Sequence, residues 1–156
     1  MLSTSYSSPH GYCVIATPPC QLLIHGPAGC GKTTLMRAAE ACLPEGTIVY
    51  LATTGVAASL LPAGARTIHS GGRITVRMEK KDSPALGDKG ANLDGPALAQ
   101  LQTTFAPHVH FVTFDECSML TADLYYTMHT RLQQVSNSGR IARILLGDFH
   151  QVRHDA

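Results

Sequence analysis

Residues 22–34 read Leu-Leu-Ile-His-Gly-Pro-Ala-Gly-Cys-Gly-Lys-Thr-Thr, an apolar run that breaks into glycines and closes on a lysine and two threonines. Gly26 to Thr33 fits the pattern G-x-x-x-x-G-K-[ST], in which backbone N–H groups cradle the phosphates of a nucleotide. Gly26, Gly29 and Gly31 are the positions where the backbone must turn sharply; Pro27, Ala28 and Cys30 complete the loop. Lys32 is expected to reach the β- and γ-phosphates and Thr33 to offer its hydroxyl to Mg²⁺. The helix that opens at Lys32, Thr33 and Thr34 aims its positive dipole end at the anion. A glycine-rich turn can match this pattern by chance, but here an apolar strand precedes it and a helix-favouring stretch, Thr34 to Cys42, follows. Such loops serve many reactions, so the rest of the chain has to choose among them.

The 156 residues suit one domain, long enough to bury a core without metal or disulfide staples. With 44% hydrophobic and 15% charged residues the composition is globular, and a formal charge of +1 gives no whole-chain basic footprint for nucleic acid. Any contact with nucleic acid is therefore local. Five cysteines, odd in number and free of C-x-x-C pairs, point to a reducing compartment. The eight histidines stand at no zinc spacing, even as the pairs His108/His110 and His150/His154. The first 20 residues, rich in Ser, Pro, Gly and Thr, are expected to form a loose leader rather than a secretory signal, and no run reaches membrane-spanning length. The expected setting is intracellular, the nucleus or mitochondrion in a eukaryote.

From Gln21 onward strand and helix patterns alternate, which predicts crossover units and a mainly parallel sheet covered on both faces. Gln21 to His25 reads as a strand, Lys32 to Cys42 as a helix, Thr47 to Thr53 as a β-branched strand and Val56 to Leu61 as a short helix. Residues 71–97 break the pattern and read as a long surface excursion. Val109 to Phe114 is a buried-type strand. Thr121 to Gln134 is a helix with Leu124, Met128 and Leu132 on one face and Ser118 or Thr121 as its N-cap. Ile141 to Gly147 is the last strand.

The strand Val109 to Phe114 runs into Asp115-Glu116. Downstream of a phosphate loop, the first carboxylate is suited to steady the Mg²⁺ that Thr33 also holds, and Glu116 to polarise a water for attack on the γ-phosphate. A pair of solvated acids at a strand end is the plainer account of the same residues. After the last strand comes Gly147-Asp-Phe-His-Gln151, which opens onto the crevice where ligands sit in parallel α/β sheets, so Gln151 is placed to sense the γ-phosphate or orient the water.

Four segments in this order, GPAGCGKT, ATTGVAASLL with GARTIHS (residues 52–70), FDECSML (114–120) and LLGDFHQV (145–152), resemble the first motor domain of the Pif-type DNA helicases, in the RecD-like branch of superfamily one. The likeness spans about Gln21 to Val152. It implies a three-layer RecA-like α/β domain in which the strand before Gly147 lies between those ending at Gly26 and Asp115. It also implies a Walker A pair, Lys32 and Thr33, a Walker B pair, Asp115 and Glu116, and a motif III glutamine, Gln151. Thr54, Gly55, Thr67 and His69 fall in the region that in the family contacts single-stranded DNA, as hydroxyls, a glycine amide and an imidazole can do without reading bases. ATP is the implied substrate, Mg²⁺ the cofactor, single-stranded DNA the partner, and 5′ to 3′ stepping the implied polarity.

The chain departs from the family's pattern in several places. Cys30 stands where Thr or Ser is usual, Val152-Arg153-His154 replace the usual Leu-Pro-Pro, and no glutamine motif for adenine precedes the loop. The resemblance therefore implies one truncated motor domain, without the second domain and its arginine finger, and little turnover alone. Residues 66–89 carry six basic residues, Arg66, Arg73, Arg77, Lys80, Lys81 and Lys89, against three acids, which reads as a solvated loop or the edge of a DNA path. Two rival readings remain at this stage. One is a non-catalytic nucleotide- or DNA-binding module; the other is a small-molecule kinase, which has no use for the TTG and TIHS segments.

Overall fold

The computed structural model describes residues 4–7, 13–17, 21–62, 64–74, 93–105, 108–136 and 141–149. In chain order the strands are β1 (Thr4–Ser7), β2 (Cys13–Thr17), β3 (Gln21–His25), β4 (Ile48–Ala52), β5 (Arg66–Thr67), β6 (Phe111–Asp115) and β7 (Ala142–Gly147). The helices are α1 (Lys32–Glu40), α2 (Gly55–Leu60), α3 (Ile68–Gly71), α4 (Gly95–Thr104) and α5 (Ala122–Val135), with a 3₁₀ turn over Cys117–Met119. The strands form one sheet in the order β1-β2-β3-β7-β6-β4-β5. From β3 to β5 all pairings are parallel, whereas β1 and β2 add an antiparallel hairpin at one edge. Strand β7 lies between β3 and β6, the order that the resemblance implied.

Side chains alternate across the parallel strands as the pleat requires. On one face Leu51, Val112 and Phe114 pack against Ile68 of α3, Leu101 of α4, and Leu124, Met128 and Leu132 of α5. On the other, Tyr50, Ala52, Ile144 and Leu146 pack against Met36 of α1 and Ala57 of α2. These strands are buried on both faces, which explains their near-continuous apolar runs. The predicted stripe of α5 is the one that is buried, and of the two candidate caps Thr121 is used: its Oγ1 accepts from Leu124 N at 3.2 Å. The Tyr125 ring meets Phe114 edge-to-face at 5.9 Å while Tyr126 faces solvent. Among the described residues no helix is long and apolar enough to cross a membrane.

Two features differ from the sequence reading. The stretch expected as a loose leader supplies β1 and β2, because Cys13–Thr17 registers along the whole of β3, with Cys13 opposite His25 and Thr17 opposite Gln21. The surface excursion assigned to residues 71–97 is shorter at both ends. Helix α3 closes at Gly71, and α4 starts at Gly95 with a proline in its first turn, where a missing N–H costs nothing. Residues 75–92 of that excursion, with Arg77, Lys80, Lys81 and Lys89, lie outside the described residues.

Candidate nucleotide and nucleic-acid sites

Parallel pairing brings the carboxyl ends of β3, β7 and β6 to one side of the sheet, with His25 opposite Gly147 and Phe114 opposite Leu145. The segments leaving these strands enclose a cavity of about 620 Å³, lined by Ala28, Lys32, Asp115, Glu116, Ser118, Met119, Gly147 and Asp148. The structure thus brings together the phosphate loop, both members of the acidic pair and the start of the 147–151 segment. His150 and Gln151 lie outside the described residues.

Within the loop, Gly29 (φ 76°) and Gly31 (φ 92°) occupy the left-handed region, where a Cβ is strained. Gly26 does not: it is buried, and its N–H donates to Gly147 O at 3.2 Å, so it extends the β3–β7 ladder by one bond rather than turning the chain. Helix α1 begins after Gly31 with no side-chain cap. Its first N–H groups, on Lys32, Thr33 and Thr34, therefore have no acceptor within the helix and face the loop as an anion cradle. Lys32 Nζ spans the loop, donating to Gly26 O at 2.6 Å and Pro27 O at 2.9 Å, with Cys30 Sγ at 3.8 Å. The loop is also held from the far end of the chain, because Ala28 N donates to Asp148 Oδ2 at 3.1 Å.

Asp115 is half-buried at the end of β6, and Glu116 N donates to its Oδ1 at 3.0 Å. Burial pushes the Asp115 carboxyl above the usual carboxylate range. The Glu116 charge adds to that shift, while the Glu116 N–H bond and the Lys32 ammonium oppose it. Glu116 follows in the left-handed region at φ 54° and ψ 40°, a conformation that costs a residue with a Cβ about 1–3 kcal/mol. Its carboxylate is exposed, lines the cavity, and stands 3.4 Å from Thr53 Oγ1 and 3.5 Å from Thr54 Oγ1.

Thr33, in the first turn of α1, and Asp115 offer the hard oxygen donors that Mg²⁺ prefers. Among the described residues no three His, Cys, Asp or Glu side chains converge as a metal cage. Mg²⁺ is ordinarily held by one or two carboxylates together with substrate phosphates and water, a donor set that Asp115 and Thr33 could begin. A cation at this point would also relieve the cost of burying the Asp115 charge.

The residues expected at nucleic acid follow the carboxyl ends of β4 and β5 and do not line this cavity. Thr54 caps α2, accepting from Ala57 N at 3.1 Å, and Thr67 caps α3, accepting from Ser70 N at 3.2 Å. Thr67 pairs with Ala52, two residues before the Thr54 cap, and Gly55 is exposed at the start of α2. His69 is half-buried and lines a second cavity of about 450 Å³ with Arg66, Ser70, Arg73, Ile74 and Thr104. Asp148, Ser118, Met119 and Thr53 lie in segments that the sequence reading quoted, but none of the four was given a role at this cavity. For Asp148 a signal existed, since an acid directly after the last strand must face the crevice.

Parallel strands that deliver a glycine loop and an acidic pair to one crevice, with this strand order, define a RecA-like nucleotide-binding α/β domain. The sequence profile of the PIF1-like helicases matches residues 12–154, and the chain belongs to that family. Among solved structures it is similar to unliganded Pif1 from Bacteroides sp, with a TM-score of 0.61 and 23% identity over 86% of this chain. It is also similar to Bacteroides Pif1 bound to ssDNA, with a TM-score of 0.59 and 27% identity over 81% of this chain. The Pif1 helicase from Candida albicans gives 0.55 and 20% over 81%. The chain spans 28% of the length of each of these proteins. A comparison with curated protein sequences gives no match.

Proposed function

We propose that this chain is an ATP-hydrolysing motor module of a DNA helicase, binding MgATP in the 620 Å³ cavity and coupling its hydrolysis to movement along single-stranded DNA, 5′ to 3′. The observation that carries this reading is the convergence of the loop, Asp115 and Glu116 on that one cavity. Lys32 and the first N–H groups of α1 hold the phosphates, and Thr33 with Asp115 would hold Mg²⁺, which when bound supplies charge neutralisation at the β- and γ-phosphates. Glu116 accepts a proton from a water whose oxygen bonds to the γ-phosphorus as the bond to the β–γ bridging oxygen breaks, releasing ADP and inorganic phosphate. Gln151 is proposed to orient that water. Thr54, Gly55, Thr67 and His69 are proposed contacts to the DNA backbone, a reading supported by one relative of known structure being bound to ssDNA.

The test is binding of a fluorescent ATP analogue with Mg²⁺, followed by phosphate release with and without single-stranded DNA. Lys32→Ala is expected to abolish binding. Glu116→Gln is expected to keep binding and lose about 10²- to 10⁴-fold in turnover. Binding with no turnover, with or without DNA, would overturn the hydrolytic assignment in favour of a binding module, and turnover unaffected by Glu116→Gln would remove Glu116 as the proton acceptor.

A further inference from the structure

Strand β4 pairs in parallel with β6, with Ala52 opposite Asp115. The next residue on each strand, Thr53 and Glu116, therefore leaves the sheet beside the other. Both the Thr53 and the Thr54 hydroxyl approach the same Glu116 oxygen, Oε2, at 3.4 and 3.5 Å. Glu116 itself is exposed and hangs from a left-handed backbone, so burial does not fix its side chain. A glutamate free to sample its rotamers loses orientation at the moment a proton has to move.

We propose that Thr53 and Thr54 are positioning residues for the Glu116 carboxylate. Their hydroxyls share Oε2 and leave Oε1 to take the proton of the attacking water. The assignment rests on the hydrolytic role proposed for Glu116, and it extends that site to the end of β4, outside the residues assigned to the ATP phosphates and Mg²⁺. Thr54 does two things at once, since a hydroxyl can accept from Ala57 N while donating to Oε2. Thr53→Val is the cleaner probe because it keeps the shape of the side chain and leaves the α2 cap in place.

With the 156-residue chain and MgATP, Thr53→Val is expected to lower kcat by about 3- to 10-fold, with KM and nucleotide affinity unchanged. Thr53→Ser, which keeps the hydroxyl, is expected to retain the parent's turnover. Unchanged kcat in Thr53→Val, or a matching loss of nucleotide affinity, overturns the proposal. A second measurement needs no turnover: the melting temperature should fall by about 1–2 °C on Thr53→Val, and not at all when Glu116 is already Ala. Equal shifts in the two backgrounds overturn the proposal. If the parent binds nucleotide without hydrolysing it yet shows this coupling, the hydrolytic reading fails and the positioning contact stands.

Discussion

Asp148 Oδ2 accepts a hydrogen bond from the backbone N–H of Ala28 at 3.1 Å, across 120 residues of sequence. The contact ties the end of the last strand to the middle of the phosphate loop. It holds because Gly26 N bonds Gly147 O and brings the two segments out of the sheet together. A nearly buried carboxylate thus fixes a loop whose two left-handed glycines would otherwise leave it many conformations.

Asp148→Ala should therefore weaken nucleotide binding without touching a phosphate contact. A hydrogen bond to a charged group contributes about 1.5–3 kcal/mol, so the dissociation constant of a fluorescent ATP analogue is expected to rise roughly 10- to 100-fold. Hydrogen exchange at residues 27–31 should quicken in the free protein. An unchanged dissociation constant would show the loop to be ordered by other means.

Asp115 leads to a pH prediction. Its folded pKa is raised, chiefly by burial, so the folded chain holds this proton more tightly than the unfolded one. Stability contributed by the group is full below the ordinary carboxylate range and is lost as pH rises through the raised folded value. Asp115→Asn is accordingly expected to be more stable than the parent at neutral pH, with the advantage fading below about pH 4. The same variant should lose Mg²⁺-dependent nucleotide binding. Urea unfolding midpoints across pH check the first outcome and titration with the nucleotide checks the second.

Gly147 is required by close approach rather than by its backbone angle. A Cβ there would lie 2.7 Å from Cys117 Sγ and 3.2 Å from Ser118 N. Overpacking of this kind costs about 1–3 kcal/mol, so Gly147→Ala should lower the melting temperature by roughly 3–10 °C. Adding Cys117→Ala should recover part of that loss relative to the sum of the two single changes, and strict additivity would contradict the clash.

Cys30 sits half-buried in the loop with its sulfur 3.8 Å from Lys32 Nζ. Alkylation by a maleimide is expected to abolish nucleotide binding, and prior MgATP to slow labelling at Cys30. Cys117 is buried, with its thiol pushed up to about 11, and should stay unmodified at neutral pH. Exposed Cys42 should react with no effect on binding. Peptide mapping by mass spectrometry separates the three.

Local pattern carried most of the elements between Gln21 and Gly147. The strand expected over Val109 to Phe114 is Phe111–Asp115, and the helix expected over Thr121 to Gln134 is Ala122–Val135. In both cases burial on a sheet face or a helix stripe writes its period directly into the residue types. Helix α4 was missed because Gly95-Pro96 read as loop punctuation, although proline is also favoured in a first helical turn. The hairpin β1-β2 was missed for another reason. Its strands are held by the free edge of β3, a partner that no local window contains.

By itself the sequence determined the phosphate loop, the acidic pair and the alternation that makes a parallel sheet, because each depends on residue type within a few positions. Only the tertiary structure decided that Asp148 clamps Ala28, that Thr53 and Thr54 meet Glu116, and that Gly26 extends a ladder rather than making a turn. These are contacts between strand ends set by register, and register belongs to the pairing of distant segments, not to any one of them.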